Sequence, residues 1–332
     1  VSIVGGESLI ARELRDLIRE RHLPVKVNLI GLDSDSLTLI SEGGEPAVMT
    51  PLDEANLGCS QLAVLAGSPE SSARALASLT GGEGPPLIDL TYAAEDEPSA
   101  RLRAPLVEPS GFEAPPGTIH VIAHPAAIAL ALFLLRLGSG RRIRRSFAQI
   151  FEPASERGQR GLDELREQTV SLLSFRSMPK AVFDAQAGFN LLASYGEQAP
   201  QALGDVELRI EKHLASLLAG RRAAPLPSIR LIHAPVFHGY SMSAYVEFEE
   251  PADVSAITAA LEGPEIDVRG PGFDPPDNAG IAGQDGISVG SISPDRNDPN
   301  GCWFWVVADN FRLMAENALA VARSLLPGAE GG

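Results

Sequence analysis

The chain has 332 residues, 44% hydrophobic and 21% charged, which fits a globular protein of two domains and excludes a disordered or fibrous chain. A formal net charge of -16 excludes a general binder of nucleic acid or other polyanions. Two cysteines, Cys59 and Cys302, form neither a zinc spacing nor a disulfide framework, so a reducing cytoplasm and no bound metal are expected. In chain order, Val1 to Val4 is a short apolar strand that ends in Gly5-Gly6. After it, Leu9, Ile10, Leu14, Leu17 and Ile18 recur at helical spacing. Val25 to Ile30, Gln61 to Ala66, Pro86 to Leu90 and Ile119 to Ala123 are four more apolar strands, with a helix from Pro69 through Leu79. Continuous apolar strands alternating with helices mean a parallel sheet covered on both faces.

The stretch Ala126 to Leu135 is far shorter than the roughly 20 residues of a membrane span, so it reads as a buried helix and no membrane is expected. Beyond it the pattern changes. Ile143 to Phe151 and Ile229 to Glu249 are longer, partly alternating strand patterns. Helical patterns cover Gly161 to Leu173 and Gly204 to Leu218, and two further strands run over Ile287 to Ile292 and Cys302 to Ala308. A mixed or antiparallel sheet with helices on one face is predicted. Residues 263 to 286 are rich in Pro and Gly and read as a long loop. The chain closes on an amphipathic helix, Phe311 to Leu326.

Several stretches invite a functional reading and have a plainer one. The basic run Arg141 to Arg145 reads as a solvated strand start. His120, His124, His233 and His238 lack the tight spacing and acidic partners of a metal site. Gly5, Gly6, Glu7 and Ser8 form a strand-to-helix turn whose free N–H groups suit a phosphate. Glu7 or Ser8 as a helix cap is the favoured reading there.

Three motifs carry a resemblance. His124-Pro125-Ala126-Ala127-Ile128 is similar to an Asn-Pro-Asn-Cys-Ser/Thr segment. Ile287 to Asp295 followed by Trp303 to Arg312 is similar to Val-Gly-x-Ile, then Phe-Trp-x-Val-x-Asp-Asn-x-Arg. Ala234 to Ser241 through Glu247 is similar to Val-Pro-Val-x-x-Gly-His-Ser, then Val-x-Glu. The chain resembles the aspartate-semialdehyde dehydrogenases over nearly its whole length. The resemblance implies an α/β fold: a Rossmann-type parallel-sheet domain over 1–126 completed by the helix 311–326, and an α+β dimerisation domain over 127–310. The second domain is expected to resemble the catalytic domain of glyceraldehyde-3-phosphate dehydrogenase and to build a homodimer.

The same resemblance implies losses. Ala127 stands at the position of the nucleophilic cysteine. Tyr240 stands at the position of the basic histidine, with His238 two residues away. Glu152 replaces a glutamine near the nucleophile, and His233 replaces an arginine that grips a carboxylate. In the turn, Ser8 and Ala11 replace glycines and Glu7 adds an anion. Leu32, Asp33 and Asp35 follow the second strand, where a 2'-phosphate is expected to meet an arginine. The expected protein is dehydrogenase-like without dehydrogenase activity, kept for binding or assembly, with no cofactor or weak NADP. A small-molecule ligand has room in an interdomain cleft. One alternative is an active NADP-dependent semialdehyde dehydrogenase of amino-acid biosynthesis. Another is altered cleft chemistry using His233, His238 and Glu152.

Overall fold

The computed structural model describes all residues except 32–37, 43–44, 80–83, 110, 222–223, 271 and 327–332, so Leu32, Asp33 and Asp35 lie outside the described residues. The chain divides into two units, Val1–Ala123 with Met314–Gly332, and His124–Leu313.

The first unit contains β1 (Ser2–Val4), α1 (Leu9–Glu20), β2 (Asn28–Ile30), β3 (Thr38–Glu42), β4 (Glu45–Thr50), α2 (Glu54–Gly58), β5 (Ala63–Leu65), α3 (Pro69–Ser78), β6 (Leu87–Asp89), β7 (Ala100–Arg103) and β8 (Ile119–Ile122). Its eight strands run in the order β3-β4-β2-β1-β5-β6-β8-β7. All neighbours are parallel except β3 against β4. The expected parallel sheet is present. Strands β1, β5 and β6 are buried along their whole length, which is why they read as unbroken apolar runs. Val4, Ile30, Leu57, Ala63, Leu65, Ala75 and Leu87 form one core cluster. The strand expected over Val25 to Ile30 pairs only from Asn28, because Val25 turns back to bond the Leu23 carbonyl instead of a neighbouring strand.

The second unit contains α4 (Pro125–Gly140), β9 (Ile143–Glu152), a 3-10 turn (Ala154–Arg157), α5 (Gly158–Leu173), α6 (Leu203–Leu218), β10 (Ser228–His233), β11 (Tyr240–Phe248), α7 (Val254–Leu261), β12 (Ile266–Arg269), β13 (Ile287–Pro294) and β14 (Gly301–Ala308). Helix α8 (Asn310–Leu325) starts here and belongs to the first unit from Met314 onward. The six strands run in the order β10-β9-β11-β14-β13-β12. The outer pairs are parallel and the inner pairs antiparallel, so the sheet is mixed. Helix α4 is buried nearly all round, as a helix with no polar face must be. Its Phe133 meets Phe304 of β14 edge-on, with ring centroids 5.0 Å apart. Each buried Leu or Phe of α4 contributes roughly 2 kcal/mol. A cap contributes about 1. Packing, not capping, therefore holds this helix.

Two readings of the second unit need correction. The pattern Ile229 to Glu249 is two strands, not one. Pro235 has no N–H to give, and Gly239 adopts φ 79°, so the chain leaves the sheet at Ala234 and returns at Tyr240. The stretch 263 to 286 is not all loop. Ile266–Arg269 is a strand parallel to β13, short enough for the surrounding prolines and glycines to hide its alternation.

Candidate active site

The topology of the second unit brings five chain segments to one point. The end of β9 lies beside the end of β10, with Glu152 directly paired to His233. The antiparallel partner β11 starts there, with Ser241 opposite Phe151. Strand β14 ends there, with Ala308 opposite Tyr240, and Asn310 follows two residues later. The 3-10 turn after β9 supplies Ser155, Glu156 and Arg157. The amino end of α4 supplies His124, whose Nδ1 accepts from the N–H of Ala126 at 3.3 Å.

These residues make two joined networks. In the first, Arg157 donates to Glu152 Oε1 and to Gln201, and Tyr195 Oη donates to Glu152 Oε2 at 2.5 Å. Since that hydroxyl spends its proton on Glu152, its oxygen accepts from His233 Nδ1, 3.1 Å away. His233 is fully buried and stacks on Phe183, ring centroids 4.6 Å apart. Its Nε2 is buried with no hydrogen-bond partner among the described residues. Phe183 is itself placed by α5. Glu164 accepts the N–H groups of Val182 and Phe183 at 2.7 and 3.1 Å, and Gln168 accepts those of Ala187 and Gly188 at 2.7 and 3.0 Å.

In the second network, Asn310 Nδ2 donates to Glu156 Oε1 at 2.8 Å and to Ser155 Oγ at 3.1 Å. His124 Nε2 lies 3.7 Å from Glu156 Oε2. The His124 N–H donates to His213 Nδ1 at 2.9 Å. The Tyr240 ring sits against His124, centroids 5.8 Å apart, and its hydroxyl lies close enough to Glu156 to favour the carboxylate slightly.

The two carboxylates are driven apart. Burial alone raises the pKa of Glu152, but Arg157, His233 and Tyr195 outweigh it and hold the group at about 2. Burial raises that of Glu156 as well, and the Glu152 charge adds to it, so Glu156 sits at about 7. Arg157 leans to Glu152, and only part of its charge reaches Glu156. One carboxylate is a fixed anion, and the other takes a proton near neutrality.

Of the residues singled out from the sequence, Glu152, His233 and Tyr240 meet here, and Ala127 lies fully buried in the first turn of α4. His238 does not join them. It is exposed on the loop before Gly239, its ring 6.2 Å from Phe311. Glu156, Arg157, Tyr195, His213 and Asn310 were not anticipated as site residues. Two acids and an arginine within six residues at a strand end were a usable signal for Glu156 and Arg157. Tyr195 arrives from a distant loop and leaves no local signal. Among the described residues no group of three His, Cys, Asp or Glu is placed to hold a metal ion. Cys302 pairs with Val246, six residues along β14 from the Ala308 end, roughly 20 Å away. Burial pushes its thiol up to about 11.

In the first unit, Gly5 adopts φ 79°, and a Cβ there would run into the backbone of Gly67. Ser8 caps α1, its Oγ accepting from Ala11 N–H at 3.1 Å, and Glu7 is exposed on the turn. The capping reading of Ser8 holds.

Residues 143–313 match the family described as semialdehyde dehydrogenase, dimerisation domain. A USG-1 protein homolog of Pseudomonas aeruginosa is 29% identical, covering 98% of this chain and 97% of its own length. An aspartate-semialdehyde dehydrogenase of Rickettsia bellii is 23% identical with the same coverage. The solved structure of a probable aspartate-semialdehyde dehydrogenase from Pseudomonas aeruginosa is similar with TM-score 0.85 and 28% identity, covering 98% of both chains.

The Glu156 environment makes a stability prediction with a definite sign. A folded pKa of about 7 against an ordinary value of 4.5 means that its stabilising contribution is complete below pH 4.5 and is lost as pH rises through about 7. Glu156→Gln stays neutral throughout. Urea denaturation at pH 5 and pH 8 is expected to show the variant gaining on the native protein by on the order of 2 kcal/mol at the higher pH. An unchanged difference between the two pH values would show that Glu156 ionises normally.

Proposed function

The chain belongs to the aspartate-semialdehyde dehydrogenase family, and we propose that within it this protein has given up the thiol-dependent dehydrogenase reaction and acts by binding or assembly. One observation carries the reading. Ala127, at the position that resembles the family's cysteine, is a buried methyl group at the start of α4. A methyl group has no lone pair with which to attack an aldehyde.

The neighbouring residues support it. Tyr240, at the position of the base, is fully buried beside Glu156. Glu152 is committed to Arg157 and Tyr195. His233, at the position of the carboxylate clamp, offers one ring nitrogen where arginine offers a fork. The remaining thiol of this unit, Cys302, is protonated at neutral pH and lies at the far end of β14.

The resemblance implies NADP, bound where the first unit turns from β1 into α1. The residues there fit a pyrophosphate poorly. Ser8 already occupies the N–H of Ala11, and Glu7 sets a carboxylate beside the turn. We take residues 1–126 with 311–326 as the dinucleotide-type domain in form, and 127–310 as the dimerisation domain. The β9-β11-β14 face that carries Phe147, Phe151, Tyr245, Trp303 and Trp305 is only half-buried. Aromatic residues in that state suit a subunit interface, and a homodimer is the reading they support.

With aspartate semialdehyde, phosphate and NADP, turnover should stay far below the roughly 1 per second at the slow end of ordinary enzymes. Ala127→Cys alone should restore none of it, because Tyr240 stands where the family's base is expected, His233 where its clamp is, and such parts act as a unit. Clear turnover by either protein sinks the reading. Calorimetry with NADP should give no affinity tighter than about 1 mM. A micromolar constant would show that the turn still takes pyrophosphate. Light scattering should give twice the mass of one chain, and a monomer would refute the dimer.

A further inference from the structure

The first unit holds a cavity of about 790 Å³ between α1, the segment entering β2, β4 and α2. That volume is within the usual range for small-molecule sites, roughly 300–1,000 Å³. None of the turn residues from Gly5 to Ser8 lines it, and it reaches back to Val25, ahead of the amino end of β2. It is separate from the charged network of the second unit, whose residues belong to His124–Leu313.

The lining is unusual for this chain. The protein carries 43 Asp and Glu against 27 Lys and Arg. Yet no carboxylate occurs among the described residues that line the cavity, while Arg15, Arg19 and His22 do. Arg15 and Arg19 are four residues apart on α1, so they stand on one helix face, one turn above the other. Arg15 is only 7% exposed. Arg19 pairs with Asp16 at 3.0 Å, but both side chains are more than half exposed, and such a pair is worth little. Val25 and Leu29 give it an apolar lining, and Asn56 and Cys59 of the α2 region line it as well.

We propose that this cavity is a binding site for a phosphomonoester that carries an apolar group. Two guanidinium groups match a dianion. The volume and the apolar lining exceed what bare phosphate fills. The inference does not rest on the loss of dehydrogenase chemistry and stands or falls apart from it.

Cys59 gives a local readout, because it lines the cavity and is exposed, whereas Cys302 is buried. The full chain is treated with iodoacetamide, a neutral reagent, and alkylation of Cys59 is followed by mass spectrometry. Phenyl phosphate is the probe, with phenol and inorganic phosphate as controls. The expected result is slowing by phenyl phosphate at millimolar concentration, with less effect from either control. Arg19→Gln should weaken that protection roughly tenfold, the loss of one charge-assisted hydrogen bond. Its unfolding midpoint should be unchanged, since Arg19 is exposed. Arg15→Gln should do the same if it folds, and Arg19→Gln carries the test if it does not. No protection by phenyl phosphate, equal protection by phenol, or protection that survives Arg19→Gln would each overturn the proposal.

Discussion

The buried ion pair between Arg157 and Glu152 is the constraint on which the second unit's polar centre depends. A carboxylate at the end of β9 is fully enclosed, and an enclosed charge persists only if it is paired and hydrogen-bonded. Arg157 pairs it, and Tyr195 and His233 complete the shell. Everything else follows from that commitment. Tyr195 must donate to Glu152, so His233 must present Nδ1–H to Tyr195. Glu156 is buried and faces the Glu152 charge, and with Arg157 drawn to Glu152 it becomes a carboxyl group that holds a proton near neutral pH. In a dehydrogenase of this family the resemblance implies a cysteine acting on a substrate at this point. Here the chain's own charges satisfy one another.

Much of the fold was legible because the physics was local. The strands of the first unit are buried on both faces, and unbroken apolar runs announce that directly. Helices α1 and α3 begin at serines whose side chains accept from the third helical N–H, a pattern a sequence displays. Strands β3, β4, β7 and β12 escaped notice, and for two of them the identity comes from a distant partner. Ile266–Arg269 is a strand only because β13 runs beside it. The edge strand Ala100–Arg103 alternates polar residues and pairs solely with β8. The break at Pro235 and Gly239 was written in the sequence and was overrun by the apolar pattern on either side.

The site was legible as a set of substitutions but not as an assembly. Ala127, Tyr240, Glu152 and His233 could be singled out because their neighbours in sequence carried a resemblance. The members that make the assembly stable lacked that support. Arg157 and Glu156 sit on a 3-10 turn of four residues, and Tyr195 on an irregular segment fixed by Glu164 and Gln168 from α5. Their roles are defined by charge compensation across the fold, which no local window contains. His238 shows the converse. It was noticed because it is a histidine near a motif, and the glycine after it turns it outward.

The boundary inside α8 has a consequence for synthesis. The first unit is begun by Val1 and completed only by residues from Met314 onward. Within it, Asn317 caps a loop by accepting the Leu106 N–H at 3.2 Å, and Glu316 pairs with Arg21 at 3.2 Å. Leu319, Val321 and Ala322 add the last buried apolar surface of that stretch. A ribosome adds roughly 5–20 residues per second. For the ten seconds or more that such rates require for the intervening segment, the nascent first unit waits with its final helix unmade. The second unit, continuous in sequence, can close first and deliver that helix.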